Sequence, residues 1–330
     1  MKIYPLLFTP VYVEKMWGGS LMKKNFLRDY PKTEVPIGES WEIVDRDDAQ
    51  SIIENGQLQG HTLGELVQKI PKELVGTRHD ANNPFPLLIK IIDAGKRLSL
   101  QVHPDNKVCK EYPNAEPKTE MWYILDSEKK AKIFAGLNMA ATQIKFKETM
   151  SQPEVENLLN TFPSKQKDAY FIPTGRIHAI GGGNLIFEVQ QNSDTTYRVS
   201  DWGRLDQSGK SRELHVKQAL KSIHFEDKKL PKISGDSTEI TMNKKVPIIM
   251  NCPYFYVEEI RLKNIFFDTT KPYSFQILTA YDNPFTLVHN SISYEIEKGR
   301  SCLLPAALGQ YRIMPNKPVT IIRTALKRHF

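Results

Sequence analysis

Apolar and polar residues alternate through residues 98–106, whose sequence is LSLQVHPDN. Period-two alternation is typical of a strand that buries one side, and it places Gln101 and His103 together on the other side. Pro104 has no backbone N–H for a sheet ladder, so it predicts where the strand ends. A carboxamide and an imidazole presented together at a strand end can supply part of a metal site.

Short alternating or continuous apolar segments recur along most of the chain, with Gly and Pro between them. Helical spacing of apolar residues is confined to a few segments, which cover residues 62–76, 106–112, 153–161 and 213–222. At the first of these, Thr62 followed by Glu65 forms a capping-box pattern. We therefore predict a mainly β chain with a few helices.

A polar stretch over residues 226–245 separates two parts of this pattern and is the candidate linker. It predicts a larger domain over residues 1–230 and a smaller C-terminal β domain over residues 236–330. The sequence AYFIPTGRIHAI in the first part is echoed by CLLPAALGQYRI in the second, which favours a repeated β architecture. The second copy has no histidine or acid in its turn, so we expect no metal there.

Composition and charge argue against several classes of protein, namely nucleic-acid-binding, disulfide-rich and membrane-spanning ones. The 330 residues carry a net charge of +7, but the basic residues are scattered and no nucleic-acid-binding motif accompanies them. The three cysteines are far apart and odd in number, which argues against a disulfide framework or a cysteine-bound zinc. No apolar segment is long enough for a transmembrane helix. We expect a cytoplasmic protein with reduced cysteines and neither a nucleic-acid nor a membrane partner.

Three separate segments offer metal ligands: the strand with Gln101 and His103, the segment KTEMWYIL with Glu120, and the segment TGRIHAI with His178. Imidazole nitrogen and carboxylate oxygen suit a divalent ion, zinc foremost, and two histidines with one carboxylate leave a position open for catalysis. Either histidine alone is explained as readily by a buried or turn histidine that makes ordinary hydrogen bonds.

Polar residues also alternate through residues 185–204. If this segment stays extended, Glu188, Asp194 and Arg198 fall on one face. Such a face lines a wet pocket or lies on the solvated side of a sheet, because an unbroken polar face is costly to bury otherwise.

The sequences QVHPDN, PKTEMWYIL, PTGRIHAIGGG and SDTTYR, in this order, closely resemble those of type I mannose-6-phosphate isomerases in their short bacterial form. The resemblance is strong over residues 1 to about 225 and extends to the remainder through the strand layout. It implies a cupin, or jelly-roll, fold with two β domains and one zinc ion per chain. The implied reaction interconverts mannose 6-phosphate and fructose 6-phosphate.

The resemblance also implies a set of zinc ligands, which are Gln101, His103, Glu120 and His178. Gln101 has an alternative role, because a neutral amide binds zinc weakly and can instead orient a ligand or a water molecule.

By the same resemblance, Arg198 is the active-site arginine, and Lys118 and Asp194 are the candidates for moving protons. Arg198, Lys118 and Arg204 are the expected substrate-binding residues, with Arg204 standing where long forms of the family have a lysine. Which of the two proton-transfer candidates is the base stays open at this point.

Two other functions remain open from the residues alone. The first is a cupin dioxygenase, because two histidines and one carboxylate also form an iron site. The second is a sugar-phosphate-binding cupin without turnover. For the isomerase, the expected partner is a small-molecule sugar phosphate and the expected state is a monomer.

Overall fold

The computed structural model describes residues 3–26, 28, 33–205, 209–236 and 238–327. Strands dominate and the helices are short, which confirms the prediction of a mainly β chain with a few helices. The helices are α1 (Leu21–Phe26), α2 (Leu63–Lys69), α3 (Pro71–Leu74), α4 (Asn106–Cys109), α5 (Gln143–Thr149) and α6 (Val216–Ser222), with 3₁₀ turns at Gly56–Leu58 and Pro153–Leu158.

The strands follow one another at short intervals along the whole chain. The first fifteen are β1 (Leu6–Thr9), β2 (Val11–Glu14), β3 (Ile37–Ile43), β4 (Asp45–Arg46), β5 (Ala49–Gln50), β6 (Ile52–Ile53), β7 (Leu87–Ala94), β8 (Leu100–Val102), β9 (Glu120–Ser127), β10 (Lys132–Leu137), β11 (Leu159–Pro163), β12 (Ala169–Ile172), β13 (His178–Ile180), β14 (Asn184–Gln191) and β15 (Tyr197–Ser200). The remaining ten are β16 (Lys232–Ile233), β17 (Lys244–Ile249), β18 (Tyr256–Leu262), β19 (Phe266–Thr269), β20 (Gln276–Ala280), β21 (Phe285–His289), β22 (Ile292–Ile296), β23 (Ser301–Leu304), β24 (Gln310–Pro315) and β25 (Val319–Ala325).

Helix α2 begins where the sequence predicts. The Thr62 side chain accepts a hydrogen bond from the Glu65 backbone N–H at 3.2 Å, which satisfies one of the free donors at the helix start. The helix ends at Lys69 with Ile70 as its C-cap residue, and Pro71 occupies the first position of α3. Proline is tolerated there because that N–H needs no intrahelical partner.

The chain forms two compact units, each assembled from separated segments. Unit 1 consists of Met1–Val11, Trp41–Ile89 and Ser237–Phe330, and unit 2 consists of Tyr12–Ser40 and Lys90–Asp236. Compactness does not show which segments fold independently. The division into domains 1–230 and 236–330 therefore stays a prediction.

Unit 1 is built on a seven-stranded sheet in the order β17-β18-β25-β20-β23-β1-β6 and a four-stranded sheet in the order β19-β24-β21-β22. The unit also contains a two-stranded ribbon, β4-β5. Apolar side chains from both larger sheets, among them Ile260, Leu278, Leu287 and Ile313, form one buried cluster. The two sheets therefore pack face to face, as in a β-sandwich.

Unit 2 contains a five-stranded sheet in the order β11-β10-β13-β8-β15. A seven-stranded sheet in the order β16-β12-β9-β14-β7-β3-β2 supplies its other layer, and some of these strands extend beyond the unit's ranges. Side chains alternate across the five-stranded sheet. Phe134 packs in a cluster with residues of α5 and α6, whereas Ile133 and Ala135 pack with Trp122 of the other sheet.

This alternation places the polar residues of β8. Leu100 and Val102 lie in the cluster on the helical side of the sheet, so Gln101 points to the space between the two sheets. His103 follows the end of the strand and is also buried.

Two further expectations from composition can be compared with the structure. Among the described residues, no helix combines the length and the apolar character that crossing a bilayer requires. Cys109, Cys252 and Cys302 are all free thiols, as their spacing suggests.

A buried carboxylate supports the start of α1. Asp93 in β7 is 1% exposed, and its Oδ2 accepts a hydrogen bond from the Met22 N–H at 2.7 Å. Its Oδ1 has no hydrogen-bond partner among the described residues. Burial raises the pKa of this carboxyl from 3.8 to about 6, although the Met22 and Leu21 N–H groups oppose the shift.

This raised pKa predicts a pH dependence of stability. The folded state holds the Asp93 proton more tightly than the unfolded state. The contribution of this residue to stability is therefore fully present below pH about 4 and is lost as the pH rises through about 6. Asp93→Asn keeps an acceptor for Met22 but does not ionise. The free energy of unfolding of the native protein should therefore fall by up to about 3 kcal/mol relative to that of the variant between pH 4 and pH 7. Urea unfolding at both pH values measures this, and a difference that does not change with pH would contradict it.

Candidate metal centre and active site

Strand register brings three of the predicted site residues into a row on the five-stranded sheet. On β13, β8 and β15, which are neighbours, His178 pairs with Gln101 and Gln101 pairs with Arg198. Residues directly opposite on neighbouring strands point to the same face of a sheet. The three side chains therefore emerge side by side between the two sheets of unit 2.

The seven-stranded sheet supplies the carboxylate. Glu120 begins β9, and its Oε2 lies 3.4 Å from His103 Nε2 while its Oε1 lies 3.4 Å from His178 Nε2. All three side chains are almost completely buried. Their ligand atoms lie within 4.8 Å of one another, so the cluster could hold a metal ion.

Backbone carbonyls fix which nitrogen of each imidazole carries the proton. His103 Nδ1–H donates to the Thr195 carbonyl and His178 Nδ1–H donates to the Arg176 carbonyl, both at 2.8 Å. Each Nε2 is left with a lone pair and lies 3.4 Å from a carboxylate oxygen of Glu120. Neither His103 Nε2 nor the two Glu120 oxygens has a hydrogen-bond partner in the described chain.

The pKa shifts match this arrangement. Burial lowers the pKa of His178 to about 3 and also lowers the pKa of His103. Burial alone would raise the pKa of Glu120, but the nearby positive charge of Lys118 holds it well below its usual range. Neutral imidazoles and an ionised carboxylate are the protonation states that bind a metal.

The donor set fits zinc. Ligand atoms at about 2.1 Å from a tetrahedral ion are separated from one another by roughly 3.4 Å. The same distance separates His103 Nε2 from Glu120 Oε2 and His178 Nε2 from Glu120 Oε1. A cation would also supply the partner that these buried lone pairs lack. The hydrogen bonds to backbone carbonyls are the outer contacts usual for metal-binding histidines.

Gln101, the fourth predicted ligand, lies beside the cluster. Its Nε2 is 3.2 Å from His178 Nε2, and its Oε1 accepts a hydrogen bond from Ser99 at 3.2 Å. A ligand role requires the amide oxygen to face the histidines. The role of Gln101 as a ligand therefore stays a prediction, next to its alternative as a residue that orients His178.

Lys118 is buried and directly paired with the metal cluster. Its Nζ lies 3.3 Å from Glu120 Oε2. Burial alone would lower the pKa of this ammonium, but the negative charges of Glu120, Glu188, Asp194 and Glu39 outweigh burial and raise the pKa above its usual range. Lys118 is therefore protonated at neutral pH.

A cavity of about 270 Å³ opens beside the cluster, and its lining is mostly polar. The charged residues that line it are Lys15, Glu39, Lys90, Lys118, Glu188, Asp194, Arg198 and Arg212. Five of these eight are basic and three are acidic. The cavity thus favours an anion that also carries groups able to hydrogen-bond to carboxylates.

Lys90 forms ion pairs with the three acidic residues of the cavity lining. This residue is 3% exposed, and its Nζ lies 3.7 Å from Glu39, 3.8 Å from Glu188 and 3.9 Å from Asp194. Glu188 also accepts a hydrogen bond from Trp122 Nε1 at 2.9 Å. Burial and the charge of Glu120 raise the pKa of Glu188 to about 7, which suits a group that exchanges a proton near neutral pH.

Some of the predicted catalytic and substrate-binding residues line the cavity, and one does not. Lys118, Asp194 and Arg198 all line the cavity. Arg204 is not among the lining residues in the described part of the chain, because its guanidinium is bonded to Asp201 and to the Arg97 carbonyl.

Arg212 lines the cavity whereas Arg204 does not, and no pattern in the sequence indicates this. Its guanidinium shares the Asp201 carboxylate with Arg204, with Nε donating to Asp201 Oδ2 at 2.9 Å. Lys90 was missed as well. The signal for it was a single lysine inside the otherwise apolar segment 85–93, since a buried lysine needs a nearby acid.

The polar segment 185–204 is not one extended strand. β14 ends at Gln191 in the seven-stranded sheet, and β15 begins at Tyr197 in the five-stranded sheet. Glu188 and Arg198 nevertheless both line the cavity, because the chain crosses from one sheet to the other across it. Of the two alternatives for this polar face, the structure agrees with the pocket, but the segment forms two strands and not one.

Comparison with known proteins identifies the family of this chain. A family model described as "Phosphomannose isomerase type I, catalytic domain" matches residues 6–149. The chain is 35% identical over 318 residues to mannose-6-phosphate isomerase ManA of Bacillus subtilis, covering 95% of this chain and 96% of that protein. It is 31% identical over 309 residues to mannose-6-phosphate isomerase of Streptococcus mutans, covering 93% and 94%.

Solved structures give the same result. The crystal structure of mannose 6-phosphate isomerase from Bacillus subtilis matches with a TM-score of 0.85 and 30% identity, covering 99% of each chain. A putative mannosephosphate isomerase from Archaeoglobus fulgidus, at 23% identity and a TM-score of 0.77, shares the fold. The predicted cupin class is thereby confirmed. With 35% identity to a relative over almost its whole length, this chain belongs to the type I phosphomannose isomerase family.

Proposed function

We propose that this protein is a zinc-dependent aldose–ketose isomerase that interconverts mannose 6-phosphate and fructose 6-phosphate. The observation that carries the proposal is the convergence of two imidazole lone pairs and a buried carboxylate beside a cavity rich in basic residues. The relatives named as mannose-6-phosphate isomerases support the choice of substrate.

His103, Glu120 and His178 would hold the zinc ion, with Gln101 as the proposed fourth ligand. When bound, zinc supplies a Lewis acid that polarises substrate oxygens. Glu120 brings the negative charge that balances part of the charge of the ion. Lys118 is held beside Glu120 and adds a second positive charge at the edge of the cavity.

The reaction requires a proton to leave carbon 2 of the open-chain sugar and return to carbon 1, through an enediol. Lys118 is protonated at neutral pH, so it serves as a proton donor or as a cation that stabilises the negative charge of an enediolate. Asp194 is half-exposed and lines the cavity, and we propose this carboxylate as the proton acceptor. Glu188 is the buried carboxyl that can share the role, because its pKa lies near neutrality.

Arginine is suited to the anionic parts of the substrate. Arg198 lines the cavity next to Gln101, and its Nε has no hydrogen-bond partner among the described residues. A planar guanidinium can bind a phosphate or an enediolate through two N–H groups. We propose that Arg198 and Arg212 bind the substrate, and that Arg204 acts mainly by sharing Asp201 with Arg212.

The remaining expectations are proposed together with this function. The partner is a small-molecule sugar phosphate, the location is the cytoplasm, and the working state is a monomer. The C-terminal domain, residues 236–330, is proposed to be cupin-like and free of metal.

Removal and return of zinc test the proposal. Purified protein should convert mannose 6-phosphate to fructose 6-phosphate, lose this turnover after treatment with a chelator, and regain it when zinc is added. A coupled assay of fructose 6-phosphate, with metal content measured on each sample, checks all three states. Absence of turnover in a folded, zinc-loaded sample would contradict the proposal, and oxygen consumption with bound iron would favour a dioxygenase instead.

Arg198→Ala separates substrate chemistry from metal binding. We expect turnover to fall by about 10²–10³-fold, because a cation that stabilises developing negative charge is lost. Zinc content should be unchanged, since the metal cluster does not include Arg198. Steady-state kinetics and metal analysis of the same preparation measure both, and either loss of zinc or full turnover would show that this role is wrong.

A further inference from the structure

We propose that Arg176 is a positioning residue that sets the metal affinity of His178 without touching metal or substrate. The inference rests on the proposed zinc site and goes beyond it. The guanidinium of Arg176 is not among the groups lining the cavity that the described residues form. Its effect would pass through its own backbone carbonyl.

The first step is the hydrogen bond between His178 and Arg176. His178 Nδ1–H donates to the Arg176 carbonyl at 2.8 Å, which fixes the tautomer and the rotation of the ring. Both must be right for Nε2 to face Glu120. The direction of one carbonyl group therefore decides whether His178 can act as a ligand.

Second, the contacts of the Arg176 side chain hold its backbone carbonyl in place. The Arg176 side chain is buried, and its Nε and Nη2 lie 2.8 Å and 2.7 Å from Asp227 Oδ2. Its Nη1 donates to the Phe171 carbonyl at 2.8 Å. Arg176 is thus bonded to the end region of β12 and to the segment after α6. A buried guanidinium with these partners cannot rotate without breaking charge-assisted hydrogen bonds.

The third step is the turn that precedes the residue. Gly175 has φ of +81°, a region that favours glycine, and an added Cβ would lie 2.4 Å from the His224 ring. The Gly175 N–H donates to the His103 carbonyl at 2.9 Å. The turn held by Arg176 is therefore bonded to one histidine ligand through Gly175 and to the other through the Arg176 carbonyl.

These contacts give Arg176 a role that differs from general stabilisation. A buried arginine–carboxylate pair elsewhere provides the comparison. Arg261 is 1% exposed, and its Nε lies 2.5 Å from Glu259 Oε2 in unit 1. Arg261 belongs to β18 of unit 1, whereas the three residues of the metal cluster all belong to unit 2. Arg261 matches Arg176 in burial and in its pairing with a carboxylate.

The experiment measures the zinc affinity of the whole chain by competition with a chelating dye. The variants are Arg176→Lys, which keeps the charge but loses the planar fork, Asp227→Asn, and the double variant, with Arg261→Lys as the control. Visible absorption of the Co²⁺-loaded proteins reports the ligand geometry, and thermal unfolding of the metal-free proteins reports stability.

We expect Arg176→Lys to weaken zinc binding by about tenfold, as loss of a group that orients a ligand does. Asp227→Asn should weaken it in the same direction, and the double variant should be no weaker than Arg176→Lys alone, because both act through one pair. The Co²⁺ spectrum should change in these variants. Arg261→Lys should lower the unfolding temperature and leave zinc affinity and the Co²⁺ spectrum unchanged.

Two results would overturn the inference alone: native zinc affinity in Arg176→Lys, or an equal loss of affinity in Arg261→Lys. If Arg176→Lys does not fold, Asp227→Asn decides, since Asp227 is partly exposed and its replacement is milder. Failure of the native chain to bind zinc would overturn the proposed metal site, and the role of Arg176 with it.

Discussion

Two imidazole lone pairs and an ionised carboxylate meet in the interior of this protein, with 3.4 Å between each nitrogen and the nearest oxygen. Lone pairs facing one another at this distance repel, so the arrangement is costly unless a cation lies between them. Lys118 offsets part of this cost from one side of Glu120. The backbone carbonyls that accept hydrogen bonds from the Nδ1–H groups prevent the histidines from relieving the repulsion by a change of tautomer. The fold therefore holds open a site for a positive ion.

The cavity beside this site carries buried charges of both signs. Lys90 lies between Glu39, Glu188 and Asp194, and these carboxylates also raise the pKa of Lys118. A phosphorylated polyol suits such a lining, because its hydroxyl groups can donate to carboxylates while its phosphate binds guanidinium groups. Burial of these groups is costly, and it moves the pKa of Glu188 to about 7. The same burial that weakens charge solvation thus brings the pKa of a carboxyl in this lining close to neutral pH.

Much of this site could be predicted from the sequence, because local pattern and motif resemblance indicate where single side chains lie. Neither shows which residues far apart in the chain come into contact. Period-two alternation placed Gln101 on the inner face of its strand, and the motif resemblance identified Glu120 and His178. Arg204 was predicted and Arg212 was not, because the contacts of both guanidinium groups depend on the shared Asp201 carboxylate and not on a periodic pattern. The role of Arg176 was out of reach for another reason, since its partner Asp227 lies 51 residues further along the chain. A local pattern predicts to which face of its strand a side chain points. Contacts between segments far apart in the chain decide which groups surround it.

Diffraction at the zinc absorption edge, from crystals grown with zinc, is the decisive test of the metal centre. We expect one strong anomalous peak at about 2.0–2.2 Å from His103 Nε2, from His178 Nε2 and from a carboxylate oxygen of Glu120. A peak elsewhere, with these three side chains uncoordinated, would contradict it. So would a well-ordered cluster without a peak in protein that retains zinc in solution.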